Sequence, residues 1–202
     1  MENALIIFVR NPELGKVKTR LAADVGNENA LLIYRKLLQH TFDITQQCPA
    51  HKFIFYVDKI ELVDMWQQEN YFKLLQDEND LGNRMRSAFE NIFKKGYNKV
   101  CIIGSDCFEL SAEMIDKSFA YLDTYDLVIG PANDGGYYLL AMKNEVKDVF
   151  KNIEWSTEKV LQQTIQIARE KKYTYKLLDK LNDVDTVADV PQQWKEELHI
   201  IL

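Results

Sequence analysis

Short, nearly unbroken apolar runs recur along this chain, and they restrict its possible folds more than any other sequence feature. The runs lie at residues 4–9, 52–57, 71–76, 99–103, 126–130 and 137–142. A strand that is covered on both faces has such a continuous pattern, whereas a half-exposed strand alternates apolar and polar residues. The runs therefore predict a sheet with other structure packed on both of its sides.

Segments with helical periodicity separate several of these runs. Apolar side chains recur at helical spacing in segments 30–42, 81–93 and 160–168. Asn27 and Ser156 are the predicted N-caps of the first and the third of these helices. Alternating strands and helices favour right-handed crossovers, and hence a mainly parallel sheet with helices on both faces. The predicted fold is a three-layer α/β/α, Rossmann-like arrangement that forms one domain, residues 1–202.

Helix ends and strand ends indicate where a site would lie. Gly96 follows the second helical segment and predicts its end. Thr186 and Asp189 have the spacing of a capping box and predict the start of a last helix that ends near Leu198. Open sheets of this class bind their ligands beyond the carboxyl ends of the strands, so the loops directly after strands are the places to examine.

Composition and charge exclude several classes of function. The 202-residue chain has a net charge of −6, whereas a nucleic-acid-binding surface needs a clustered basic excess. No apolar run approaches the roughly 20 residues of a membrane span, and the short, acidic start does not fit a signal peptide. Cys48, Cys101 and Cys107 have unrelated spacings that are typical of free thiols in a reducing compartment. We therefore expect a cytoplasmic protein that binds neither nucleic acid nor membrane.

The loop after the first apolar run is rich in cations. It carries Arg10, Lys16, Lys18 and Arg20. Pro12 and Gly15 shape an irregular loop, and a helix start near Thr19 supplies free backbone N–H groups and a positive dipole end. Lysine and arginine hold phosphate in complementary ways, as a point charge and as a planar fork. The loop is not a Walker A motif, and a solvated basic loop would have the same pattern.

An aspartate follows the fourth apolar run directly. Asp106 comes after Gly104 and Ser105, at the predicted carboxyl edge of the sheet and facing the basic loop. A carboxylate in that place is suited to hold Mg²⁺ or Mn²⁺, which prefer oxygen ligands and keep substrate phosphates in their coordination shell. Asp106 could instead cap the next helix, although Ser111 is better placed for that role.

Two later segments carry further carboxylates. Asp134 stands before Gly135 and Gly136 between two strand-like runs, where a plain turn would use the same residues. The first of these runs is predicted to form a strand next to the one that leads to Asp106. Asp183 and Asp185 lie two positions apart, just before the predicted capping box. They could complete the coordination of a metal that Asp106 holds, or they could form an exposed acidic turn.

Together these segments resemble the nucleotide-diphospho-sugar transferase superfamily, which has the GT-A-like fold. Within it the chain is similar to a bacterial family of glycosyltransferases named for arsenosugar biosynthesis, and the likeness covers nearly the whole chain. The matching pieces, in order, are Phe8-x-Arg10-x-Pro12-x-x-Gly15-x-x-Lys18-Thr19-Arg20-Leu21, Gln76 with Asp80-Leu81-Gly82-x-Arg84-Met85, Gly104-Ser105-Asp106-Cys107, Gly130-Pro131-x-x-Asp134-Gly135-Gly136-Tyr137, Trp155-Ser156-Thr157 and Asp183-Val184-Asp185-Thr186.

The resemblance implies a role for each matching position. The nucleotide phosphates would be bound by Arg10, Gly15, Lys18, Thr19 and Arg20. The base would be contacted by Gln76, Leu81 and Gly82. The divalent metal, Mg²⁺ or Mn²⁺, would be bound by Asp106 with Asp183 or Asp185. The acceptor would be bound by Asp134, Gly135, Gly136, Tyr137 and Trp155, with Asp106 and Asp134 as the catalytic residues.

The chain departs from the family pattern at two positions. Phe108 stands where the family usually has proline, and Ser105-Asp106-Cys107 supplies one carboxylate where many GT-A glycosyltransferases have a paired Asp-x-Asp.

The single carboxylate leaves two transferase activities open. One is glycosyl transfer from a nucleoside-diphosphate sugar to a small acceptor. The other is nucleotidyl transfer with release of pyrophosphate, as in the related molybdenum-cofactor and phospholactate guanylyl- or cytidylyltransferases, and a nucleotide-binding protein without turnover is a third possibility.

Overall fold

A computed structural model describes residues 3–77 and 80–200 of the chain. The strands are β1 (Ala4–Val9), β2 (His51–Tyr56), β3 (Tyr71–Leu75), β4 (Val100–Ile103), β5 (Leu127–Pro131), β6 (Tyr137–Met142) and β7 (Tyr175–Leu177). The helices are α1 (Thr19–Gln46), α2 (Leu81–Lys94), α3 (Ala112–Tyr121), α4 (Val160–Glu170) and α5 (Gln192–Glu197). Two short 3-10 helices lie at Lys147–Phe150 and Val187–Asp189.

The strands form one seven-stranded sheet in the order β3-β2-β1-β4-β6-β5-β7. Strand β6 pairs antiparallel with both of its neighbours, and every other pair of neighbours is parallel. Each of the predicted apolar runs becomes a strand, with ends that differ by at most a residue. The mainly parallel but mixed sheet is therefore confirmed.

Helices cover both faces of this sheet, as the continuous apolar runs predicted. On one face, Leu5 and Ile7 of β1 share a buried cluster with residues of α1, α3 and α5. On the other face, Ala4 and Ile6 pack with α2, α4 and the 3-10 helix before it. Successive residues of β1 thus point into two different cores, which is the three-layer α/β/α arrangement.

Helix boundaries differ from the sequence-based expectations at several places. Helix α1 begins at Thr19, well before Asn27, and the non-helical Gly26 (φ 80°, ψ 159°) breaks it just ahead of the predicted cap. Ser156 does not open α4: its φ of 62° is left-handed, and the helix begins at Val160. The predictions of Gly96 as a helix stop and of Ser111 as the cap of α3 are confirmed.

The predicted last helix is divided in two. The capping box between Thr186 and Asp189 is present, but it caps only the 3-10 helix Val187–Asp189. Pro191 follows and lacks the N–H that a continuing helix would need. Helix α5 therefore starts anew at Gln192.

The antiparallel strand β6 changes which segments meet at the edge of the sheet. We expected the strand that ends before Asp134 to lie beside the strand that ends before Asp106, and this is wrong, because β6 lies between β5 and β4. The chain turns back after β5, so β6 starts at the edge where β4 ends, with Leu139 opposite Ile103. The turn with Asp134 therefore still reaches the loop with Asp106.

Within residues 3–77 and 80–200, no helix has the length and apolar character of a membrane span.

Candidate active site

A cleft of about 760 Å³ opens at the carboxyl edge of the sheet, where the site was predicted. Most of the predicted site residues line it: Arg10, Lys18, Thr19, Arg20, Gln76, Leu81, Asp106, Asp134, Gly136, Tyr137, Trp155, Asp183 and Asp185. Three predicted glycines, Gly15, Gly82 and Gly135, lie outside its lining. The fold therefore gathers side chains from widely separated loops into one cleft.

Lys18 lies at the centre of the cleft. It stands at the N-cap position of α1 in a left-handed conformation (φ 46°), and its side chain is only 8% exposed. Its Nζ donates to Asp106 Oδ2 at 3.1 Å and to Asp185 Oδ1 at 3.0 Å. Burial opposes the charged form of Lys18, but the attraction of Asp106 and Asp185 outweighs it and raises the pKa. Lys18 is thus a charged link between the basic loop and the carboxylates.

Asp183 has an unpaired oxygen next to these carboxylates. Its Oδ1 is buried and has no hydrogen-bond partner. Burial, and then the charge of Asp106, raise the pKa of Asp183. An orphaned carboxylate oxygen beside a second carboxylate fits a hard divalent cation, which would satisfy both. Among the described residues, however, no group of three His, Cys, Asp or Glu side chains is already arranged to hold a metal ion.

The segment that carries Asp183 and Asp185 is held rigidly. Asp189 accepts hydrogen bonds from Thr186 N at 2.8 Å and from Asn182 Nδ2 at 2.6 Å. The backbone N–H of Val184 donates to Asp106 O at 2.9 Å. These bonds fix both late aspartates against the loop that follows β4.

Tyr34 is a site residue that the sequence patterns did not single out. Its hydroxyl accepts from Arg10 N at 2.8 Å, donates to Arg10 O at 3.1 Å and lies 3.2 Å from Ser105 Oγ. Tyr34 therefore ties the basic loop to the loop that carries Asp106. In the sequence it is one more member of the apolar stripe of α1, and no local signal separates it from the core positions around it.

Phe108, the residue in place of the family's proline, packs into an aromatic contact. The centre of its ring lies 4.7 Å from the ring centre of Trp194 in α5 and 4.9 Å from the ring centre of His40 in α1. The loop behind Asp106 is therefore held by ring packing against the last helix.

The predicted base-contacting residues occupy different environments. Gln76 is buried, and its Nε2 donates to Phe55 O at 2.9 Å, so its amide nitrogen is used to join strand ends. Leu81 is exposed on the cleft. Gly82 lies beneath Trp155, and a Cβ atom at this position would be 2.0 Å from Trp155 Cε2. Glycine is required here because any side chain would displace the Trp155 ring.

The predicted acceptor residues surround the turn between β5 and β6. Asp134 Oδ1 accepts from Gly136 N at 2.9 Å, so one of its oxygens shapes the turn. Gly135 has a φ of +89°, and a Cβ atom there would be 2.2 Å from Glu158 O. The turn and segment 155–160 are thus in close backbone contact. The ring of Tyr137 lines the cleft, whereas its hydroxyl is buried beside Thr164.

Charge divides the cleft into two walls. We call residues 10–20 together with the start of α2 the basic wall, and residues 134–139, 155–160 and 183–185 the acidic wall. The basic wall carries the lining cations Arg10, Lys16, Lys18, Arg20 and Arg84. The acidic wall carries Asp134, Glu158, Asp183 and Asp185 and, among the described lining residues, no Lys, Arg or His. Asp106 lies between the two walls, after the strand at the centre of the sheet.

The fold is that of the nucleotide-diphospho-sugar transferase superfamily, so the resemblance to this superfamily that the sequence predicts is confirmed. Within it, the chain belongs to the family described as uncharacterized protein conserved in bacteria (DUF2064), whose sequence profile matches residues 41–157. No protein among the curated ones matches the chain.

Solved structures agree with this placement. A protein of Desulfovibrio desulfuricans G20, provisionally named a nucleotide-diphospho-sugar transferase, is 36% identical, with a TM-score of 0.87 over 93% of this chain and 84% of that one. The 4-diphosphocytidyl-2C-methyl-D-erythritol synthase of Anaerococcus prevotii is 11% identical, with a TM-score of 0.65 over 98% and 96%. Rv0371C of Mycobacterium tuberculosis, in complex with manganese, is 10% identical, with a TM-score of 0.57 over the whole of both chains. At these two lower identities the likeness establishes the fold alone.

Proposed function

We propose that this protein is a metal-dependent glycosyltransferase that moves a sugar from a nucleoside-diphosphate sugar to a small acceptor. The observation that carries the proposal is the contact of Lys18 with both Asp106 and Asp185. This contact joins a loop of the kind that binds phosphate to a cluster of carboxylates of the kind that binds metal ions, within one cleft. The name given to the D. desulfuricans relative and the manganese bound to Rv0371C are consistent with a nucleotide-activated donor and a divalent metal.

The basic wall would bind the donor diphosphate. Arg10, Lys18 and Arg20 supply cations, while Gly15 and Thr19 place the loop backbone at the positive end of α1. These groups would stabilise the negative charge that develops on the departing nucleoside diphosphate. Gln76, Leu81 and Gly82 would form the side of the cleft that receives the base.

Asp106 and Asp183 are the residues best suited to hold Mg²⁺ or Mn²⁺. Asp106 lies at the centre of the cleft, and Asp183 contributes a buried oxygen without a partner. Asp185 is less suited, because Arg20 lies 4.0 Å from it in addition to the Lys18 ammonium that it shares with Asp106. The chemistry that a bound divalent ion supplies in such a site is neutralisation of the leaving diphosphate.

Asp134 would act on the acceptor. One of its oxygens is bound by Gly136 N, which fixes the carboxylate in place and leaves the other oxygen for a substrate hydroxyl. From that position it would accept the proton of the attacking hydroxyl. Gly135, Gly136, Tyr137 and Trp155 would shape the space around the acceptor.

The acidic wall favours sugar transfer to an acceptor without phosphate. Its carboxylates would repel a phosphorylated acceptor, because like charges in a partly buried cleft interact unfavourably. The alternative is nucleotidyl transfer with release of pyrophosphate. The single carboxylate of Ser105-Asp106-Cys107 favours it, and the A. prevotii synthase has the same fold.

A product assay separates the two activities. The purified protein would be incubated with Mn²⁺ and a panel of nucleoside triphosphates and sugar nucleotides. Each donor would be paired with glucose or with glucose 1-phosphate as the acceptor. Glycosyl transfer predicts release of nucleoside diphosphate, with glucose the better acceptor. Pyrophosphate release that depends on glucose 1-phosphate would instead establish nucleotidyl transfer, and no turnover with any donor would contradict both.

A further inference from the structure

Lys18 differs from the other cations of the basic wall in what it contacts. Its ammonium is 3.1 Å from Asp106 and 3.0 Å from Asp185, and its side chain is 8% exposed. Lys16, two residues earlier, is 67% exposed and pairs with Glu13 at 2.6 Å, away from the carboxylate cluster. Lys18 is thus committed to the carboxylates, although it stands in the loop that would bind phosphate.

This arrangement places a cation where a divalent metal ion would bind. A metal ion bound by Asp106 would share that carboxylate with the Lys18 ammonium, which lies 3.1 Å from Asp106 Oδ2. Two cations that close together repel each other strongly in a partly buried site. The ammonium also already compensates the charge of Asp106 and Asp185. A metal ion that arrives alone therefore gains little by displacing it.

A diphosphate would change that balance. Its oxygens offer Lys18 a second set of anionic partners at the start of α1, where the helix dipole also attracts them. Rotation of the long Lys18 side chain toward the phosphate would release Asp106, and the metal could then bind between carboxylate and phosphate. The metal ion would thus bring positive charge into the cleft at the same time as the diphosphate brings negative charge.

We propose that Lys18 is a built-in counter-ion that keeps a lone divalent cation out of the site, so that metal and diphosphate bind as a pair. The proposal rests on the proposed function for the identity of its two ligands. It differs from a simple phosphate-binding role in one consequence. Removal of this positive charge should strengthen the binding of the metal by itself.

Titration of the full-length protein with Mn²⁺ tests the proposal, with free Mn²⁺ measured by electron paramagnetic resonance. Lys18→Met keeps the unbranched side chain up to the position of Cε and removes the charged ammonium group. We expect this variant to bind Mn²⁺ alone at least about tenfold more tightly than the wild type. Lys16→Gln removes the same charge from the same loop without touching Asp106 or Asp185, and its affinity for Mn²⁺ should change less than threefold.

The wild-type protein supplies a second measurement that needs no variant. Inorganic pyrophosphate should raise its affinity for Mn²⁺ at least tenfold, after correction for the Mn²⁺ that free pyrophosphate binds, and it should do much less for Lys18→Met. Equal Mn²⁺ affinity of folded Lys18→Met and wild type would overturn the proposal, as would a wild-type affinity that pyrophosphate leaves unchanged. Tighter Mn²⁺ binding by Lys18→Met in a protein that turns over no nucleotide donor would uphold the counter-ion role and reject the proposed transferase activity.

Discussion

The two walls of the cleft are built in different ways. The basic wall is mainly one continuous loop, residues 10–20, and several of its cations extend into solvent; the side chain of Arg20 is 82% exposed. The acidic wall is assembled from three separate segments. Hydrogen bonds of the residues that flank them hold these segments together, such as those from Leu161 N to Gly135 O at 2.9 Å and from Asn133 N to Leu181 O at 3.0 Å. The basic wall is therefore a local feature of the sequence, whereas the acidic wall exists only in the folded chain.

This difference suggests a division of labour that mutations can test. Exposed cations are suited to capture a charged donor, because each contributes a modest and partly screened attraction. Fixed carboxylates are suited to chemistry, which depends on exact placement of a proton acceptor or a metal ligand. Changes on the acidic wall should therefore mainly reduce transfer, and changes on the basic wall should mainly reduce donor binding. Changes at Asp106, which lies between the two walls, should reduce both.

The largest effect is expected at Asp106. Asp106→Asn keeps the shape of the side chain and removes the charge that would anchor the metal. We expect transfer to fall on the order of a thousandfold, and metal-dependent nucleotide binding to be lost in calorimetry with Mn²⁺. Folding should persist, as measured by circular dichroism and thermal unfolding. Unchanged Mn²⁺-dependent affinity would remove Asp106 from the metal site.

Asp134→Asn should have the next largest effect. Asn can still accept the hydrogen bond from Gly136 N, so the turn should survive. It cannot accept a proton, so transfer should fall about a hundredfold or more, while donor binding stays near the wild-type value. If transfer and donor hydrolysis both continue at wild-type rates, Asp134 only shapes the turn, and the acidic wall has no base at that position.

Arg20→Ala should have a smaller effect and a different profile. A charge-assisted contact to phosphate corresponds to roughly 1.5–3 kcal/mol when it is shielded from solvent. The Arg20 side chain is 82% exposed, so screening lowers its contribution to about 1 kcal/mol, and the affinity for nucleoside diphosphate should fall roughly threefold to tenfold. The affinity for the free nucleoside, which carries no phosphate, should change little. Calorimetry with both ligands makes the comparison, and equal weakening of the two would count against the phosphate role of the basic wall.

Local patterns in the sequence predict much of the sheet and few of the contacts in the cleft. The short, nearly unbroken apolar runs predict six strands correctly, because burial on both faces of a strand leaves a continuous apolar pattern in the sequence. Strand β7 was missed, since Tyr175–Leu177 is a three-residue edge strand in which Lys176 interrupts the apolar pattern. The prediction of Ser156 as a helix cap is wrong, because the sequence does not show that its backbone is left-handed.

Positions after strands and the family resemblance predict the candidate site residues, but they do not predict which residues these contact. The contacts of Lys18 with Asp106 and Asp185 join positions 88 and 167 residues apart. No periodicity within a helix or a strand reports on contacts at such separations. The sequence also does not predict Tyr34 as a residue of the cleft, because a buried tyrosine in an apolar stripe has the same pattern as any other core residue.

The packing of Phe108 on Trp194 has a consequence for how the protein is made. Ribosomes synthesise chains from the amino end, so Lys18 and Asp106 leave the exit tunnel long before Asp183, Asp185 and Trp194. Until those later residues emerge, the loop behind Asp106 lacks the ring that packs against it, and Lys18 lacks one of its two carboxylate partners. The nascent sheet can assemble its central strands early, but the cleft is complete only after residues 183–194 have been synthesised.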